Sequence, residues 1–176
     1  MMTGNDDDSI LHPETDALLT DGREPLVGAK AVARGVARLF LRHDILVLSE
    51  VSLRNRRRAD LMGIDAKGQI VIVEIKVARG DLLGDSKWTE YLDYCDRFYW
   101  AVPMDFDRSP LEREGFLPEL SGVIVADAYD AEIVRQAATD SLAAARRKTE
   151  TLRIARRAMG RLATANAWID PSEASF

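Results

Sequence analysis

From residue 27 onward, the hydrophobic positions follow two periods in turn. Val32, Val36, Leu39 and Phe40 recur at three- and four-residue spacing, with Lys30, Arg34 and Arg38 elsewhere around the wheel. That pattern predicts an amphipathic helix over 27–42. Residues 45–53, rich in Ile, Leu and Val, predict a strand; 58–65 predict a second and 69–77 a third. Between the last two stands Asp65-Ala66-Lys67-Gly68, a turn whose glycine can take positive φ. Past Gly80 a helical reading runs to Cys95, with Leu92 four residues after Trp88 and Cys95 three beyond that. Residues 98–102 form a short strand stopped by Pro103, and 105–119, with Pro110 and Pro118, form a loop. A strand at 123–126, a hairpin partner at 132–135 and a long Ala- and Arg-rich helix at 142–165 complete the order. Helix, three strands, helix, strand and further additions describe one α/β domain with a mixed central sheet flanked by helices, and 176 residues can bury its core.

The first 25 residues depart from this pattern. They carry Asp6, Asp7, Asp8, Glu14, Asp16, Asp21 and Glu24 against Arg23 alone, and read as a disordered acidic tail. Residues 26–165 form the folded domain and 166–176 a C-terminal tail. The net charge of −5 speaks against a nucleic-acid partner until it is divided, since the tail holds −6 of it and the remainder is +1. Arg54, Arg56, Arg57 and Arg58 fall within five positions, and a second basic group, Arg146 to Arg161, lies near the C-terminus. Local field rather than net charge attracts phosphates, so DNA remains an admissible partner. Cys95 is the sole cysteine and His12 and His43 lie far apart, which excludes an intrachain disulfide and a Cys-rich metal site and leaves no recognisable zinc pattern. No apolar run is long enough to span a bilayer, and a reducing cytoplasm is the expected compartment.

Chemistry concentrates in the predicted hairpin. Along a strand Glu74 and Lys76 share a face with Ile70 and Ile72, while Val71, Val73, Ile75 and Val77 take the other. A strand covered on both sides makes Glu74 and Lys76 costly unless they are compensated. A three-residue loop Ala66-Lys67-Gly68 pairs Asp65 with Gln69 and sets Asp60 opposite Glu74. Their Cβ atoms then stand roughly 5 Å apart, where like charges destabilise a sheet. A divalent cation between them removes the penalty, and carboxylate oxygens suit Mg²⁺ or Mn²⁺. Lys76 beside the pair can stabilise an attacking hydroxide or a developing phosphorane. The competing reading is an accidental buried ion pair.

Asp60, thirteen intervening residues and then Glu74-Ile75-Lys76 resemble the PD-(D/E)xK nuclease superfamily. A more specific resemblance is to MmcB-like DNA repair proteins. It rests on residues 57–62, Val73-Glu74-Ile75-Lys76, Lys87-Trp88, the run Asp93-Tyr94-Cys95-Asp96-Arg97-Phe98-Tyr99, and residues 123–128. The resemblance covers roughly residues 27–160. It implies a restriction-endonuclease-like core and a role in bacterial DNA repair. It also implies a metal site built from Asp60, Glu74 and the Ile75 backbone carbonyl, with Lys76 as the third catalytic residue. Two departures stand out: Ala59 replaces the signature proline, and the first helix has no Asp or Glu, where family members often place a further carboxylate. Glu50 can substitute if it faces the cleft; otherwise it is a solvated edge residue.

Supporting residues carry paired readings. Lys87 and Tyr91, four apart, share a helix face and can hold phosphate or orient water, and Tyr94 extends that face. The alternative is partly buried tyrosines with polar tips. Trp88 and Cys95 read as core, and Asp81 and Asp85 as charges at a helix start. Arg54, Arg56, Arg57 and Arg58 suit nonspecific phosphate contacts or a solvated turn. The expected function is a metal-dependent DNA endonuclease acting in repair. A nuclease-fold DNA-binding accessory with weak or no cleavage is the alternative, and a protein-interaction module using the 105–119 loop or the acidic tail a third. A repair-protein partner or a second copy of the chain is compatible with each.

Overall fold

The computed structural model describes residues 27–170 and Ser172, so the expected acidic tail over 1–25 lies outside the described residues. Six strands form one mixed sheet in chain order. They are β1 (Ile45–Ser52), β2 (Arg58–Asp65), β3 (Ile70–Ile75), β4 (Arg97–Val102), β5 (Gly122–Ala126) and β6 (Ala131–Arg135). Pairing is antiparallel from β1 to β3, parallel from β3 to β5, and antiparallel again at β6.

Each face of the sheet carries its own core. Helix α1 (Gly28–Arg42) lays Val32, Val36, Leu39 and Phe40 against Leu61, Val71, Val73 and Tyr99. The opposite face packs Met62, Ile70, Ile72, Phe98 and Trp100 under Trp88, Tyr91, Tyr94 and Ile154, the last from α3 (Ala144–Ala165). The alternation expected for β3 holds: even-numbered residues face the second core and odd-numbered ones the first. Along β1 it breaks at Glu50, whose φ of 54° turns the strand, so Val51 and Leu53 face the same side as Leu48.

The expected helix over 80–95 is two pieces. Helix α2 (Arg79–Gly84) ends at Asp85, and a 3₁₀ segment follows at Trp88–Tyr94. With three residues per turn, Trp88, Tyr91 and Tyr94 line up and all are buried, while Lys87 precedes the first turn and is exposed. Lys87 and Tyr91 therefore do not share a face. Asp81 sits in the first turn of α2 as expected, but Asp85 lies at its C-terminal end. Strand β3 closes at Ile75, two residues short of the expected Val77. Cys95 and Trp88 are buried core.

Asp96 fastens α3 to the sheet. Its fully buried carboxylate accepts hydrogen bonds from the N–H groups of Ile70 (2.7 Å) and Leu142 (2.9 Å) and from both terminal nitrogens of Arg147 (2.6 and 2.7 Å). Burial pushes this carboxyl up, but Arg147 and the two amides outweigh it and hold the pKa below the ordinary range.

Candidate metal and phosphodiester site

The hairpin register is the one expected from the turn. Gly68 has φ 76°, its N–H reaches the Asp65 carbonyl at 2.9 Å, and the Asp65 N–H reaches the Gln69 carbonyl at 3.0 Å. Leu61 pairs with Val73, so Asp60 stands opposite Glu74. The pair is interlocked through backbone. The Asp60 N–H donates to Glu74 Oε1 at 3.3 Å, and the Ile75 N–H donates to Asp60 Oδ2 at 2.7 Å.

Electrostatics reflect the crowding. Glu74 is 4% exposed, and burial, reinforced by the Asp60 charge, pushes its pKa up to about 8. Burial also raises Asp60, against the pull of the Ile75 N–H and Lys76, while Glu50 adds to the rise. Two carboxylates held this close share protons as a unit. Lys76 Nζ lies 2.7 Å from Asp85 Oδ2, 3.9 Å from Glu74 Oε2 and 5.8 Å from the Trp100 ring centroid. The Tyr91 hydroxyl donates to the Arg58 carbonyl at 3.1 Å. Burial, with the neighbouring Glu74 carboxylate next, raises the Tyr91 pKa.

Of the residues singled out in the sequence, the fold gathers Asp60, Glu74, Lys76 and Tyr91 and leaves others apart. Glu50 stands between Ser49 and Val51, which pair with Leu61 and Ala59 on either side of Asp60; it is half exposed and pairs with Arg58. Lys87 acts on Glu90 instead. The four arginines diverge: Arg57 forms a forked pair with Glu90 (3.0 and 3.3 Å), Arg58 is held by Glu50, and Arg54 and Arg56 are exposed. Asp85 and Trp100 are the site neighbours that sequence reasoning missed. Asp85 sits in an aperiodic turn nine residues beyond Lys76, so no spacing marks it.

The donor set suits a hard cation. Asp60 and Glu74 offer carboxylate oxygens, as Mg²⁺ and Mn²⁺ prefer, and a buried like-charge pair is what a cation would relieve. Among the described residues no group of three or more His, Cys, Asp or Glu is placed to hold a metal ion. A cation here would thus draw most of its ligands from water and substrate, a habit of Mg²⁺.

Comparison with known proteins agrees with the sequence resemblance at family level. A family model described as DNA repair protein MmcB-like matches residues 15–168. A solved structure of a protein of unknown function from Silicibacter pomeroyi is 42% identical with a TM-score of 0.73, covering 84% of this chain and 94% of that one. No curated protein matches. No helix among the described residues is long and apolar enough to cross a membrane.

Proposed function

The chain belongs to the MmcB-like DNA repair protein family, and on that footing we propose that it is a metal-dependent DNA phosphodiester hydrolase of PD-(D/E)xK type. The observation that carries this reading is the Asp60–Glu74 pair, opposed across the β2–β3 hairpin with Lys76 on the same face. Family membership gives a role in DNA repair; the chemistry must come from the site.

In this reading Asp60, Glu74 and the Ile75 carbonyl hold Mg²⁺ or Mn²⁺. The bound cation supplies Lewis acidity toward a phosphate oxygen and a lowered pKa for a water ligand. Lys76 places a positive charge where the pentavalent phosphate accumulates negative charge. Trp100 covers one side of the Lys76 ammonium and limits its hydration, which strengthens that field. Tyr91, fixed by the Arg58 carbonyl, walls the acid pair from the second core. Lys87 and the exposed Arg54 and Arg56 lie further out, where they suit approach and binding of DNA, while Glu50 adds negative charge near Asp60, which favours a cation there and not a phosphate.

The test is cleavage of labelled single-stranded, duplex, flapped, gapped and four-way DNAs with Mg²⁺ or Mn²⁺. Asp60→Asn and Lys76→Ala should each lower the rate by roughly a hundredfold or more, and EDTA should abolish it. Cleavage that survives both substitutions would refute the assignment. A second reading, a DNA-binding accessory without useful cleavage, is favoured by the engagement of Lys76 with Asp85 and by the lack, among the described residues, of a group of three His, Cys, Asp or Glu placed to hold a metal ion. It predicts DNA binding with no substrate cut.

A further inference from the structure

Helix α3 holds seven basic residues and one acidic residue, and the acid, Glu150, is fully buried. Glu150 Oε2 accepts from Arg153 Nε at 2.7 Å, so the one negative charge of the helix aims an arginine instead of neutralising its surface. The same guanidinium reaches the Ser52 carbonyl at 3.4 Å. One turn on, Arg157 and then Arg161 donate to the Glu50 carbonyl at 3.2 and 3.3 Å. Burial, and next the neighbouring Arg157, lower the Arg161 pKa, as expected where cations crowd. Between α3 and the end of β1 runs a groove of about 570 Å³, lined by Leu53, Arg54, Leu152, Arg153, Arg156 and Arg157.

We infer that this groove holds the phosphate backbone of DNA on its way to the Asp60–Glu74 pair. At 1.5 Å rise per residue, Arg153, Arg157 and Arg161 stand about 6 Å apart in a row, a spacing suited to a polymer of regularly placed charges. Leu152, which is exposed, gives the groove an apolar component for sugar and base faces, above the buried Leu53. Arg54 and Arg156 are exposed on its walls. Arg157 on the groove wall donates to the Glu50 carbonyl, and Glu50 stands between Ser49 and Val51, which pair with Leu61 and Ala59 on either side of Asp60, so the groove leads toward the acid pair. The groove also reassigns the basic contacts. Of the turn arginines only Arg54 joins it, since Arg57 and Arg58 are committed to Glu90 and Glu50. This inference rests on DNA being the ligand but not on its being cut.

The experiment is fluorescence anisotropy of labelled duplex and single-stranded DNA in EDTA, titrated across a range of salt. Arg54→Ala and Arg156→Ala leave the Glu150–Arg153 pair intact and should not unfold the protein. Each should weaken binding and reduce the slope of log K against log salt by about 0.9 on duplex or about 0.7 on single strands, and the double variant by about twice that. Arg34→Ala, on α1 across the sheet, should change neither. If the wild type binds while both groove variants keep its affinity and slope, the groove assignment is overturned and the Asp60–Glu74 reading stands. If the wild type binds no DNA, both fall.

Discussion

Lys76 is nearer to Asp85 than to Glu74, at 2.7 against 3.9 Å, although Glu74 is its neighbour on the same strand face. The lysine side chain is 13% exposed and that of Asp85 15%, so the pair is largely shielded from water. Asp85 therefore restrains the lysine that the proposed chemistry needs. It also adds to the rise in the Glu74 pKa.

Replacing Asp85 with alanine should free Lys76 to close on Glu74. Both changes, a lost negative charge and a nearer positive one, act to lower the Glu74 titration from about 8. Stability should fall by about 2 kcal/mol, less than for a fully buried pair because Glu74 takes over part of the compensation. That corresponds to a Tm loss of roughly 4–8 °C for a chain of this length. Carboxyl NMR titration follows the first effect and calorimetry the second; an unmoved Glu74 titration would refute the coupling.

Stability of the metal-free protein should decline as pH rises through neutrality. Glu74 binds its proton more tightly folded, at about 8, than unfolded, near 4.5. Its contribution is therefore fully present below pH 4.5 and lost as pH climbs toward 8, and Asp60 shifts in the same direction. The loss should be of the order of a few kcal/mol. Glu74→Gln should flatten the profile, and Mn²⁺ should offset the loss by binding the ionised pair. Urea unfolding in EDTA and in Mn²⁺ at a series of pH values measures both.

Arg57→Ala should weaken DNA binding less than Arg54→Ala, despite their proximity in sequence. The Arg57 guanidinium is committed to the Glu90 carboxylate by two hydrogen bonds. That pair is partly exposed and screened by water, so its loss should leave the stability of the fold almost unchanged. Equal losses of affinity in parallel binding titrations would show that Arg57 leaves Glu90 to contact DNA.

Asp96→Ala should be the most damaging of these substitutions, costing roughly 3–5 kcal/mol, because it strands the Arg147 charge and two backbone amides. The folded pKa of Asp96 is lowered, so its contribution is present above pH 3.8 and disappears as acid protonates it. Wild type and Asp96→Ala should therefore converge in stability toward low pH. Parallel acid-denaturation curves for the two proteins would contradict this.

The hairpin and its acid pair are legible in the sequence because a strand has a period of two and Gly68 fixes where the turn ends. Once that was known, counting alone placed Asp60 opposite Glu74. The Trp88–Tyr94 segment was not legible, since Trp88, Tyr91 and Tyr94 satisfy both a 3.0 and a 3.6 period over so short a run. Nor were the partners of Arg57 and Lys76. Those depend on chain segments meeting at Glu90 and Asp85, which no local pattern encodes. The resemblance involving residues 93–99 pointed toward function, but Asp96 within it serves to anchor a helix.

Strand order that follows chain order has a kinetic consequence. During synthesis each strand emerges with its neighbour already in place, so the sheet can be assembled progressively with modest loop closure. Helix α3 comes last, and it contributes Ile154 to the cover of the face that holds Trp100, Phe98 and Met62. Until Arg147 finds Asp96, that aromatic face is partly bare, and nascent chains stalled before residue 144 should be those that aggregate or engage chaperones.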